Sequence, residues 1–134
     1  MQRIARVAAA TFVLAGGYIH FDLWRDGYRA IEYIGPLFVA NAVVSALLCV
    51  ALLLRAGIRV ALAGVAFSAG SLVALVLSRT TGLFGFTERG WTDMAVQATT
   101  AEIGAIVAIA LVMVARSRPP GALAVAPAGG RRSH

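Results

Sequence analysis

The chain has 134 residues, 60% of them hydrophobic and only 13% charged, with a mean hydropathy of +0.82, which excludes an ordinary soluble domain and leaves room for one membrane domain. The net charge of +6 comes entirely from arginine, but the arginines sit at the ends of apolar runs and form no basic stripe or aromatic-basic module, so nucleic acid is excluded as a partner. The single cysteine, Cys49, cannot form an intrachain disulfide and reads as a small packing residue.

A helix needs about 20 mostly apolar residues to span a bilayer. Four runs qualify, at residues 4–21, 33–54, 58–78 and 94–115. The first follows Arg3 and contains Arg6, as a signal peptide would, but it continues through Gly16, Gly17 and Tyr18 without a small-x-small cleavage site followed by a soluble domain and is read as a span. The connection that follows, residues 21–32, places Trp24, Tyr28 and Ile31 at i, i+4 and i+7 with its charges mostly elsewhere, which predicts a short interfacial helix. The second run carries Asn41 and the third carries Ser71. Between the third and fourth, residues 79–93 alternate glycine with Phe84, Phe86 and Trp91, a loop expected to fold back over the bundle mouth. The fourth run contains Glu102, the one carboxylate placed at membrane depth in any of the spans. The predicted fold is therefore all-α: a four-helix transmembrane bundle over residues 1–118, then a disordered tail over 119–134 that is rich in Pro, Gly and Ala.

Charge sets the expected orientation. Arg3, Arg6, Arg55, Arg59, Arg116, Arg118, Arg131 and Arg132 lie on one side with no acid among them. Arg25, Arg29, Arg79 and Arg89 lie on the other with Asp22, Asp26, Glu32, Glu88 and Asp93. The arginine bias predicts cytoplasmic termini, two outer loops and a multi-pass protein of the cell membrane.

A carboxylate at the centre of a span costs roughly 2.5–3.5 kcal/mol on insertion scales, so Glu102 is expected to face the bundle interior. Asn41 and Glu102 each lie eight residues in from their outer helix ends, and the same count from Ser78 reaches Gly70 beside Ser71. At about 1.5 Å per residue this predicts a polar layer of Asn41, Ser71 and Glu102 roughly 12 Å deep, with His20 and Tyr18 nearer the mouth. Two readings stand side by side. In one, the layer is a ligand or ion site at which Glu102 binds a cation or proton and His20 relays it. In the other, a protonated Glu102 makes interhelical hydrogen bonds, worth about 0.6 kcal/mol each in membranes. Trp24, Tyr28, Phe84, Phe86 and Trp91 form a candidate aromatic cap at the outer mouth, although such residues also serve as interface anchors. Gly64, Ser68 and Ser71, and Ala101, Gly104 and Ala108, mark helix faces suited to close packing.

His20 with Asp22, Glu32, Glu88 and Asp93 matches no metal-site spacing, and solvated acids account for the group better. Haem with two histidine ligands would need His134 in the tail. No nucleophile elbow, P-loop or HExxH is present, so no catalytic residue, metal or cofactor is assigned.

The segments HFDLWRDGYRAIEYIGPLF (residues 20–38), GLFGFTERGW (82–91) and AEIGA (101–105) resemble a family of small, uncharacterised four-span membrane proteins common in actinobacteria. The resemblance covers nearly everything before the tail and implies architecture, not activity. DoxX-like proteins are similar in helix count and length only. Small multidrug transporters carry their glutamate in the first span and assemble in opposed orientations, and the motifs of fluoride channels are absent. The expected function is a non-enzymatic ligand- or lipid-binding protein, or an accessory membrane subunit, with a polar site near the outer leaflet. A proton- or cation-coupled transporter using Glu102 is the alternative, and a redox component or membrane enzyme the second. The expected partners are the lipid bilayer and a homo-oligomer or larger membrane complex.

Overall fold

The computed structural model describes residues 2–54 and 57–117. Arg55, Arg118, Arg131, Arg132 and His134, together with the tail expected to be disordered, lie outside the described residues. Four helices run α1 (Gln2–Arg25), α2 (Ile34–Leu54), α3 (Ile58–Arg79) and α4 (Asp93–Ser117). Each is long and apolar enough to cross a membrane, and the chain is a multi-pass membrane protein built as an all-helical bundle. The short helix expected in the first loop is a single 3-10 turn, Tyr28–Ala30, because α1 runs on through Trp24 to Arg25 and takes half of that segment. Both loops longer than a few residues, 26–33 and 80–92, meet at one end of the bundle, called here the two-loop end.

Small residues decide which helices touch. α1 packs along both α2 and α4, and α3 packs on α4, while α2 and α3 barely meet. At the α1–α2 crossing a Cβ on Gly17 would collide with the Ser45 side chain, so only glycine permits this approach. Gly64 of α3 takes the Ile109 side chain of α4, and Gly104 of α4 takes the Phe12 ring of α1; a Cβ would stand 2.7 Å and 2.6 Å from them. The core of the other half of the bundle is Ala9, Ala10, Val13, Cys49, Leu52, Ala61, Ala105, Ala108 and Ile109. Arg6 fixes the register there by donating from Nε to the Leu52 carbonyl at 3.1 Å and from Nη2 to the Leu53 carbonyl, satisfying carbonyls that the last turn of α2 leaves open. The core thus closes tightly away from the two-loop end, and the unpaired faces of α2 and α3 diverge toward it.

Candidate functional site

Where α2 and α3 part, the bundle holds a half-open cavity of about 400 Å³ at the two-loop end. Ligand sites typically occupy ~300–1,000 Å³. Its lower walls are apolar, with Val44 from α2 and Phe67 from α3, and α4 closes the back with Ala95 and Ala98. Polar side chains line it at two levels, Tyr28, Arg79 and Glu88 at the mouth and Asn41 and Ser71 about two helical turns deeper, with His20 contributed by α1. A larger groove of about 710 Å³ along α1 and α2 is an open outer surface with an almost wholly apolar lining, and it reads as a lipid-facing furrow.

Asn41 and Ser71 meet as the depth count predicts. Asn41 Nδ2 donates to Ser71 Oγ at 2.8 Å, and Ser45 Oγ, one turn along α2, donates to Asn41 Oδ1 at 3.3 Å. This link spans the gap between the two helices that otherwise make little contact. His20 Nδ1 lies 2.8 Å from the Gly16 carbonyl. A carbonyl only accepts, so Nδ1 carries the proton and, in the neutral ring, Nε2 is left as an acceptor. The His20 ring meets the Phe38 ring edge-on at 5.1 Å.

Glu102 is buried, at 3% exposure, and faces the bundle interior. It lies against α1 where Gly16 has no side chain: a Cβ there would sit 3.2 Å from Glu102 Oε1. Ser68 and Ser71 of α3 flank the carboxyl from the other side. The Ser68 hydroxyl is fully buried and, among the described residues, outside hydrogen-bond geometry with any partner. Glu102 stands behind the cavity rather than in its lining, and Ser71 is the residue shared between them.

The mouth is closed by a clasp between the two loops. Tyr28 donates to Glu88 Oε1 at 2.6 Å, and Arg79 Nη1 donates to Glu88 Oε2 at 3.0 Å. The Glu88 backbone N–H donates to the Ser78 carbonyl at 2.9 Å, tying the second loop to the end of α3. Arg79 lies 5.6 Å from the centroid of the Trp91 ring, a cation–π arrangement. Tyr28 stacks on Phe38 at 5.1 Å and meets Phe86 edge-on at 5.9 Å. Burial, then the hydrogen bond and negative charge of Glu88, push the Tyr28 hydroxyl up to about 12 against a smaller opposing effect of Arg79. The second loop folds back through a tight turn in which Leu83 and Phe86 bond each other's backbones. Phe84 and Gly85, at its centre, both have positive φ, 50° and 80°.

The structure therefore gathers His20, Asn41 and Ser71 at the cavity, with Glu102 packed behind. Tyr18 is not brought to it: at 65% exposure it points outward along the apolar furrow. Of the aromatic cap, Tyr28 and Phe86 line the cavity and Trp91 reaches it through Arg79. Trp24 stacks on Phe21 at 5.8 Å, and Phe84 lies 5.7 Å from Tyr33; both pairs sit outside. Sequence reasoning left out Ser45 and Phe38, read Ser68 only as a packing residue, and named Arg79 and Glu88 among the outer-loop charges without pairing them. Ser45 carries a usable signal, since i, i+4 from Asn41 puts it on the same helix face. Among the described residues no group of three or more His, Cys, Asp or Glu gathers as a metal site. Comparison with protein-family models, with curated proteins and with solved structures finds no match to this chain.

Proposed function

We propose that this protein binds an amphipathic membrane molecule, without chemical conversion, in the cavity between α2 and α3. The observation that carries the reading is the cavity's mixed lining: apolar walls on diverging helices, with polar groups at the loop clasp and again at the deeper Asn41–Ser71 link. Leu37, Ala40, Ala66 and Gly70 border the cavity and are themselves exposed on the bundle surface. A chain lying in the bilayer therefore reaches the cavity sideways, with its head toward the clasp. The arginine bias supports placing that head at the outer leaflet of the cell membrane. Arg3, Arg6, Arg59 and Arg116 stand at the terminus end without acids, whereas five acids accompany the four arginines of the two-loop end. Membership of the small four-span proteins that the chain resembles belongs to the same proposal. Two of the segments carrying that resemblance, residues 20–38 and 82–91, supply His20, Tyr28, Phe38, Phe86 and Glu88 to the cavity. Native mass spectrometry of protein released gently from membranes tests it. One lipid-sized adduct per chain is expected, and a chain that arrives bare under conditions that preserve the fold refutes it.

A proton- or cation-coupled activity is the second reading. It is favoured by the buried Glu102 carboxyl beside Ser68, with Ser71 and Asn41 leading from it to the cavity. Ion- or pH-dependent uptake into vesicles that Glu102→Gln abolishes would raise it above the first.

A further inference from the structure

We infer that the occupant of the cavity is a single-chain membrane acid whose carboxylate binds the free edge of the Arg79 guanidinium. The inference rests on the reading of the cavity as a lipid site and names what that site selects. Among the described residues Arg79 is the only Arg or Lys that lines the cavity, and its side chain is 9% exposed. Glu88 engages it on one nitrogen, Nη1, at 3.0 Å. Nε is buried and bonds to no described residue. A buried N–H without an acceptor is rare in a folded protein and destabilising, so it calls for a partner. In a planar guanidinium Nε shares an edge with the second Nη, and the two N–H groups on that edge run parallel, matching the two oxygens of a carboxylate. Glu88 therefore leaves unused an edge shaped to receive a second carboxylate.

Thr92 adds to the same end of the cavity. Its Oγ1 accepts the Ala95 N–H at 3.2 Å, and its own proton bonds to no described residue, so it is a further donor for an acid. Glu88 limits the charge of the head. A guanidinium already shared with Glu88 holds one more negative charge, which a carboxylate carries, whereas a phosphate monoester carries about 1.5–2 at neutral pH. An ammonium head would meet the guanidinium as a like charge. Glu88 is 25% exposed and receives the Tyr28 hydroxyl on Oε1 at 2.6 Å, so water and this bond weaken its repulsion of the acid. Nε has no surface open to water, so the acid reaches it where the clasp parts; Trp91, 59% exposed and 5.6 Å over the guanidinium, is the loop side chain that gives way. The volume of about 400 Å³ holds the head and the first part of a chain against Val44, Phe67 and Leu75, and the rest leaves between α2 and α3.

The test reconstitutes the full chain in phosphatidylcholine nanodiscs with a photoreactive diazirine fatty acid, or with the monoacylglycerol of the same diazirine chain. The comparison is made at about pH 9, where a carboxyl is ionised. Labelled peptides are quantified by mass spectrometry, and labelling of cavity positions Phe67 and Leu75 is divided by that of the lipid-facing Leu47 and Leu62. The acid is expected to exceed the neutral probe in the cavity by roughly tenfold, the scale of one hydrogen bond to a charged group. Arg79→Lys keeps a cation beside Glu88 but removes the planar edge, so the two probes should then label nearly alike. Glu88→Gln removes the competing charge and should widen the acid preference. Equal labelling in the parent chain, or a preference for the neutral probe, overturns the inference while leaving the lipid cavity standing. A folded Arg79→Lys protein that keeps the parent preference also overturns it. If Arg79→Lys does not fold, Glu88→Gln decides, and a preference there that narrows or stays at the parent value overturns the inference. If neither probe reaches Phe67 or Leu75 while both label Leu47 and Leu62, the lipid-site reading falls and this inference falls with it.

Discussion

Replacing Tyr28 by phenylalanine isolates the clasp, because the ring can keep its stack on Phe38 while the hydroxyl bond to Glu88 is lost. The rise of the hydroxyl pKa from 10.0 to about 12 corresponds to at most about 2.7 kcal/mol of preference for the protonated form. Burial, the largest cause of the rise, penalises the phenolate and is no part of the bond, and with Tyr28 only partly buried and Glu88 25% exposed solvent screens the rest, so the bond is expected to contribute about 1 kcal/mol. The sign follows from a folded-state value above the unfolded one. Below pH 10.0 the phenol is protonated in both states and the full stabilisation is present; it shrinks as pH rises from 10.0 and is lost above about 12. In thermal melts in detergent, Tyr28→Phe should therefore melt a few degrees below the parent at neutral pH. The gap should close as the alkaline range is crossed. A variant that melts with the parent at neutral pH, or a gap that stays constant into strong alkali, would refute the idea that this bond holds the two loops together.

Cysteines placed at the exposed Asp26 and Arg89 in a Cys49→Ala background should react with an impermeant maleimide in intact cells; reaction only after permeabilisation would reverse the orientation. Glu102→Gln should melt and bind lipid like the parent, whereas Glu102→Ala should lose about 1–3 kcal/mol in denaturant titrations by leaving a void against Gly16 and removing the carboxyl beside Ser71. A Gln variant that folds but no longer binds would instead favour an ion site. Gly17→Ala should lower stability by about 1–3 kcal/mol because its Cβ falls on the buried Ser45, and an unchanged melt would disprove the close α1–α2 crossing.

The spans were legible because hydropathy needs no tertiary information, and the depth count placed Asn41 against Ser71 because both distances run along straight helices. What failed was rotation about the helix axis. Tyr18 shares its depth with Gly16, Gly17 and His20, but a residue step turns about 100°, so a neighbour in sequence can face lipid. The clasp was illegible for a different reason. Charged loop residues are usually solvated, and nothing local in the sequence signals that Tyr28 reaches Glu88 across 60 positions. The interfacial helix shrank to one 3-10 turn because α1 continues through the aromatic pattern that predicted it. The divergence of α2 from α3 has no sequence signature either, since it follows from α1 and α4 filling the bundle centre with small residues.

Obstructing the cavity's lateral edge tests its occupancy most directly. A Cβ at Gly70 meets nothing within 4 Å, and Gly70 borders the cavity where it is exposed on the bundle surface, so Gly70→Phe places a ring at that edge without a clash at its Cβ. Native mass spectrometry of parent and variant, released from the same membranes, reads the result. A lipid-sized adduct on the parent and a bare, equally stable Gly70→Phe chain is the outcome this account predicts; equal adducts on both would contradict it.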